Sequence, residues 1–593
     1  MKKRKSINKR LLVSSILGAC LMATASGSAV LADGPWPGGG HGNHGDHHID
    51  RVLLISVDGM HAVDFANCAN GIAGVNSGNP YCPNLAQLGQ TGLTYVDAAT
   101  SKPSDSFPGL MALVTGATPR TMGVYYDVAY DRFLAPPVDT TGNGLAGGTC
   151  KPGTANGTRT EYDEGIDLNQ SLLNGGAPSG DGGINSIDPN KLTRDPSKSC
   201  APVYPWNFVR TNTIFGVIHR AGGYTAWSDK HASYSAVSGP GDGTNLDDYF
   251  SPEINSVEVA MPQNHIMSCN PLPDQYAFLA GDDYTGSFQN IQCYDSLKVQ
   301  AILNEIDGKT HNGSARAPVP NIFGMNFQAV SIGQKLIYQH GTTVAPGYSL
   351  HGGYTDSIGT PSASLLQEIE FVDNSIGMMV SELKNQGLYD STMIVITAKH
   401  GQSPIDLARF FPIPGHSGLN GKAPSTIVSS LLPASETGGV GPTEDDVSLL
   451  WLTNSSDTAS AVSMLEADAA LAGIGQIFSG PTLSIMYDTP GLSPNGDPRT
   501  PDIIVAPNVG VVYTTSKKKD AEHGGFAHDD INVMMLVSNP AFHSATVSSP
   551  VETAQVAPTI LAALGLDPDS LQAVQQEGTQ VLPGLPLNGG WNE

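Results

Sequence analysis

Val52-Leu53-Leu54-Ile55-Ser56-Val57 is a short, almost unbroken apolar run, closed at once by Asp58-Gly59. A run this short and without alternation suits a strand buried on both faces. Three more follow: Thr392–Thr397, closed by Ala398-Lys399-His400-Gly401; Asp502–Val505; and Asn532–Val537. Between the first two, Leu366, Ile369, Val372, Ile376, Met379 and Leu383 recur at spacings of three and four, the apolar face of a helix. Thr360 is its expected N-cap, Pro361 its first turn and Gly387 its stop. Buried strands alternating with helices predict an α/β fold with a largely parallel sheet and helices on both faces. Ligands then sit beyond the carboxyl ends of the strands, where Asp58 and His400 fall.

The N-terminus reads as an export signal. Lys2-Lys3-Arg4-Lys5 and Lys9-Arg10 precede an apolar run from Leu11 to Leu31, and Val30-Leu31-Ala32 suits cleavage before Asp33. This predicts a signal peptide over 1–32, a secreted or periplasmic protein, and no transmembrane segment in the mature chain. Leu17-Gly18-Ala19-Cys20 is the alternative, a lipoprotein site with Cys20 carrying lipid. Residues 33–50, rich in Gly and His, read as a flexible leader. Cleavage leaves six of the seven cysteines, an even number that suits disulfides in an exported chain. Of 15 possible connectivities, pairing in sequence order (68–82, 150–200, 269–293) closes three local loops.

The signal segment holds six Lys and Arg and no acid, so cleavage takes the net charge from −25 to about −31. Such a surface repels nucleic acid and anionic membranes. Binding a phosphate ester then demands concentrated local positive charge, for which bound divalent cations are the simplest source. The main domain is expected over 51–593. Its stretch from about 129 to 345, rich in Gly, Pro, Asn and Asp, reads as a loop-rich insertion or a cap over the sheet edge.

Four segments carry chemistry: Ser56-Val57-Asp58-Gly59-Met60; Lys102-Pro103-Ser104-Asp105-Ser106-Phe107-Pro108-Gly109; Gly352-Gly353-Tyr354-Thr355-Asp356-Ser357-Ile358-Gly359; and Lys399-His400-Gly401 with the distant Glu522-His523-Gly524-Gly525. In the second, Ser106 opens an apolar run, so a helix N-terminus would offer its dipole and free N–H groups to a phosphate. In this order, and with Val114-Thr115-Gly116-Ala117-Thr118-Pro119-Arg120 after Ser106-Phe107-Pro108, the chain resembles the alkaline phosphatase superfamily. The resemblance is closest to its type I phosphodiesterase/nucleotide pyrophosphatase branch and runs from about Arg51 to Leu566.

The resemblance implies a three-layer α/β/α sandwich and a metal-dependent hydrolase of phosphate esters. Ser106 matches the nucleophile that forms a covalent phospho-enzyme. Asp58, Ser106 and His400 match ligands of one metal, and Asp356 and His523 ligands of a second, most naturally zinc. Asp127 stands where relatives carry an Asn that contacts phosphate. Two further positions depart from the pattern: Lys399 replaces the Asp of Asp-His-Gly, and Thr360 replaces a ligand His.

Several readings of these departures stay open. His351, His528 or Asp105 completes the metal sites; or the Lys399 ammonium replaces one ion and acts in catalysis; or the protein only binds its ligand. Leu110, where sulfatases need Arg, argues against a sulfatase. Diester or nucleotide pyrophosphate bonds are preferred to monoesters because no bidentate group for the extra charge stands out, Arg120 being the one candidate. Phe107, Tyr125 and Tyr126 are candidates either for stacking on a base or for the core.

Overall fold

The computed structural model describes residues 48–163, 186–255, 267, 269, 271–275, 284–341, 344–414, 421–438 and 441–587. The signal segment, Cys20 and nearly all of the Gly/His-rich leader lie outside them. An eight-stranded sheet organises the chain. Its strands are β1 (Arg51–Val57), β2 (Gly92–Tyr95), β3 (Ala226–Ser228), β4 (Asp248–Phe250), β5 (Ile322–Phe327), β6 (Thr392–Thr397), β7 (Met535–Ser538) and β8 (Ala545–Val547). Across the sheet they run β8-β2-β7-β6-β1-β5-β3-β4. From β6 to β4 every pairing is parallel; only β7 is antiparallel to its two neighbours. The expected α/β fold with a largely parallel sheet is present.

Period-two alternation explains why these strands are apolar throughout. Leu53, Ile55 and Val57 of β1 join Phe323, Met325 and Phe327 of β5 and Ile394 and Ile396 of β6 in one core cluster. Val52, Leu54, Met393 and Val395 alternate with them and are equally buried. The first set packs against α2 (Phe288–Ile306), α3 (Ala329–Lys335) and α4 (Ala363–Asn385). Helix α1 (Ser106–Thr115) is buried at every residue and packs with α5 (Val556–Ala563).

Three expectations need correction. The Asp502–Val505 run does form a strand (Ile503–Pro507), but in a separate four-stranded antiparallel sheet. Ile504 packs into one apolar cluster and Ile503 and Val505 into another, so covering on both faces gives it the same signature as a central strand. The N-cap of α4 is Ser362, whose Oγ accepts from Leu365 N at 3.2 Å; Thr360 lies two residues too early. Gly387, at φ 70°, does end the helix. Finally, the stretch 129–345 is more than an insertion or cap, since it supplies β3, β4 and β5, and β5 pairs directly with β1.

Disulfides join Cys68–Cys82, Cys150–Cys200 and Cys269–Cys293, the pairing in sequence order. Among the described residues no helix is long and apolar enough to cross a membrane.

Candidate active site

Four adjacent parallel strands deliver the site. Asp58 follows β1, Gln328 follows β5, Asp229-Lys230 follows β3, and Lys399-His400 lies one residue beyond β6. Gly59 N donates to the His400 carbonyl at 3.1 Å, tying two of these ends together. Ser106 comes from the first turn of α1. Asp105 caps that helix, accepting from Phe107 N at 3.1 Å, and takes Asp127 N at the same distance. Helix and strand end meet so closely that a Cβ on Gly109 would lie 2.1 Å from the Lys399 carbonyl oxygen. This contact lets Ser106 reach His400.

Ser106 Oγ lies 3.1 Å from His400 Nε2 and accepts from Lys230 Nζ at 3.0 Å. His400 Nδ1 sits 2.7 Å from the Gly401 carbonyl, which only accepts, so Nδ1 carries the proton and Nε2 offers its lone pair to the Ser106 hydroxyl. Burial, and then the nearby His523, lower the His400 pKa to about 4, which keeps the ring neutral. His523 stacks on it with ring centres 3.8 Å apart. Burial opposes a charge on His523. Its contacts with Asp105 Oδ1 (3.6 Å) and Glu522 Oε2 (3.2 Å) prevail and raise it to about 9. A neutral base and an imidazolium therefore lie face to face.

Asp58 is wholly buried. Burial disfavours its charge, but Lys399, His400 and Lys230 hold the carboxyl well below the usual range. Its Oδ2 accepts from the amides of Asn326 and Gln328, and lies 3.6 Å from both Lys230 Nζ and His400 Nε2. Neither amide is free to flip: Asn326 Oδ1 accepts from Lys298 Nζ, and Gln328 Oε1 from Lys230 Nζ. Ser56 Oγ donates to Oδ1.

The structure thus brings Asp58, Ser106, His400 and His523 together, with Asp127 lining the same cleft. Asp356 does not join them. It is exposed, and its carboxylate accepts from the N–H groups of Ile358 and Thr360 in its own turn. Lys399 is also placed differently from the catalytic role expected of it. Its ammonium binds both oxygens of Asp229, at 2.9 and 3.0 Å, and lies 4.3 Å from the centre of the Tyr234 ring. The cation on Ser106 is Lys230. Of the suggested replacement ligands only Asp105 is at hand; His351 and His528 are exposed elsewhere. Arg120 is exposed and pairs with Asp488. Phe107 packs in the core against Tyr162, Phe208 and Tyr234. Tyr125 is buried on Thr500, and Tyr126 is buried with its hydroxyl on Asp445.

Lys230, Asp229, Asn326 and Gln328 all lie in the stretch first read as loops. The signal that marks them is brief: Thr225-Ala226-Trp227-Ser228, a β-prone tetrapeptide, ending in Asp229-Lys230-His231. Ser106 opens onto a cleft of about 340 Å³ whose lining includes Lys230, Lys335, Lys518, Lys519 and His523. In a strongly acidic chain this is the concentration of positive charge that an anionic ester requires.

A family model of the type I phosphodiesterase / nucleotide pyrophosphatase matches the chain over residues 52–149 and 345–529. The two blocks hold Asp58, Ser106, Asp127, Lys399, His400 and His523 in the order in which the fold assembles them. Over these two blocks the chain is similar to the type I phosphodiesterase / nucleotide pyrophosphatase family. The family blocks omit residues 150–344, and with them Asp229, Lys230, Asn326 and Gln328. No curated protein matches the sequence. Among solved structures, the murine ectonucleotide pyrophosphatase / phosphodiesterase 5 is similar at 13% identity and a TM-score of 0.46, over 87% of this chain and 95% of that one. The alkaline phosphatase PafA is similar at 12% identity and 0.47, over 87% and 96%.

The family resemblance implied two metal ions, and the donors are unsuited to them. Oδ2 of Asp58 has both lone pairs engaged by fixed amides, and Lys230 already sits against Ser106 and Asp58. His523 has each ring nitrogen near a carboxylate, Nδ1 at 3.2 Å from Glu522 and Nε2 at 3.6 Å from Asp105. The strand-end carboxylate is replaced by Lys399, and Asp356 points into its own turn. Among the described residues no group of three or more His, Cys, Asp or Glu could hold an ion.

Proposed function

We propose that this chain is an exported hydrolase of phosphate esters, acting on phosphodiester or nucleotide pyrophosphate bonds through a covalent phosphoserine at Ser106. The observation that carries the reading is Ser106 Oγ, held between the His400 lone pair and the Lys230 ammonium at the floor of a lysine-lined cleft. Export is supported by the basic-apolar leader and by three disulfides.

In the first step the Ser106 proton passes to His400 Nε2 as Oγ bonds to phosphorus. The phosphorus–oxygen bond to the leaving group breaks, and that oxygen takes the proton of His523 Nε2. Lys230 faces the charge that builds on the non-bridging oxygens. In the second step water attacks phosphorus and gives its proton to His523. The Ser106 Oγ–P bond breaks and His400 returns its proton to Oγ.

Ser106→Ala removes the nucleophile and leaves a methyl group of similar size in the same helix. Hydrolysis of bis(p-nitrophenyl) phosphate is expected to fall by about 10³-fold or more, with the circular dichroism spectrum and melting temperature unchanged. Turnover near the wild-type rate sinks the assignment.

A further inference from the structure

We infer that the Ser106 centre works without the metal pair that the family resemblance implies, the positive charge beside Ser106 being supplied by Lys230. The inference rests on Ser106 being the nucleophile, as proposed above. A metal beside Ser106 would have three tasks: to polarise the hydroxyl, to neutralise Asp58, and to attract the substrate's non-bridging oxygens. The Lys230 ammonium is placed for all three. It donates to Ser106 Oγ at 3.0 Å, lies 3.6 Å from Asp58 Oδ2, and lines the cleft.

Spacing alone would not exclude an ion. A tetrahedral zinc sets its ligands about 3.3 Å apart, and Ser106–His400 and His400–Asp58 measure 3.1 and 3.6 Å. The difference lies in the lone pairs and charges. Asp58 Oδ2 spends its acceptor capacity on Asn326 and Gln328, whose orientations are locked by Lys298 and Lys230. At the second position His523 Nδ1 lies 3.2 Å from Glu522 Oε2 and Nε2 lies 3.6 Å from Asp105 Oδ1, while the other expected ligand, Asp356, accepts from its own turn.

The groups that make the exchange have a common origin. Lys230, Asn326 and Gln328 come from residues 150–344, which the family blocks do not match, and so does Asp229, which neutralises the strand-end Lys399. The anomalous Lys399 and the unmatched block thus form one coordinated change: a carboxylate is lost from the centre and cations are gained.

The test uses the full mature chain, stripped by dialysis against dipicolinate. Residual metal is counted by plasma mass spectrometry, zinc is titrated by calorimetry, and hydrolysis of bis(p-nitrophenyl) phosphate is followed before and after. The inference expects far less than one ion per chain, no stoichiometric zinc uptake, and undiminished turnover. It also expects Lys230→Met to lose about 10²-fold or more in turnover, with no rescue by added zinc. Uptake of one or two zinc ions per wild-type chain, or activity lost to the chelator and restored by zinc, overturns it. If no ester is cleaved under any condition the hydrolase reading fails, while the zinc titration still decides the present point.

Discussion

Lys399 and Asp229 form a buried ion pair, both side chains wholly inaccessible, with the Trp227 indole N–H as a further donor to the carboxylate. Such a pair stabilises little in itself, but removing one partner strands the other charge. Asp229→Ala is therefore expected to destabilise the fold by about 3–5 kcal/mol, seen as a lower urea midpoint at unchanged slope. Asp229→Leu combined with Lys399→Met should recover most of that loss; a double variant as unstable as the single one contradicts the pairing. At this scale the site was half legible in the sequence. Asp58, Ser106, His400 and His523 each adjoin a recognisable strand end, helix start or Gly-rich turn. Asp229 and Lys230 follow a strand of three residues, too short to show a period, in Gly- and Ser-rich surroundings. Lys399 could be singled out but not placed, because its role depends on a partner 170 positions away.

Among the elements, α1 matters most, because its first turn carries Ser106, the proposed nucleophile, and its length is buried throughout. Gly109 sets how closely it approaches β6. A methyl group there meets the backbone of Lys399, which cannot swing aside as a side chain would. Gly109→Ala is expected to shift α1 and lengthen the Ser106–His400 contact. Turnover should fall by about 10²-fold, the scale of a misplacement near 1 Å, while far-ultraviolet dichroism stays unchanged. Wild-type turnover in this variant would show that the close approach has no part in positioning Ser106. Strands β1, β6 and β7 and helix α4 were legible because each carries a full period of its pattern. Membership of a sheet was not, since the strand at Ile503–Pro507 is buried on both faces like a central one. Nor could the loop-like composition of 129–345 reveal β5, whose Phe-Gly-Met-Asn-Phe core mixes a glycine and an asparagine into the apolar run.

For the whole molecule, buried ionisable groups set the pH at which it is most stable. Burial raises Asp445 and Asp530 to about 7 and Glu436 to about 8, and places Asp446 well above its usual range. Folded pKa values above the unfolded ones give stability that is present at low pH and lost as pH rises through about 7 to 8. His523, raised to about 9 by Asp105 and Glu522 against burial, extends that loss to higher pH. On the acid side, Asp58 and Glu522 lie well below their ordinary values, where neighbouring cations hold them despite burial; their contribution disappears as pH falls. His400, kept neutral down to about 4, adds to the acid-side loss below the ordinary histidine value. Urea midpoints are therefore expected to peak in mildly acidic buffer and decline above about pH 7; a flat profile from pH 6 to 9 would contradict this. The interleaving of the central sheet has a further consequence. β1 is paired on one side with residues 322–327 and on the other with 392–397. More than half of the polypeptide must therefore be synthesised, and a very long loop closed, before its earliest strand acquires either neighbour. A chain that stops before His523 also lacks one of the groups gathered at Ser106, so the centre is completed only when nearly the whole polypeptide is in place.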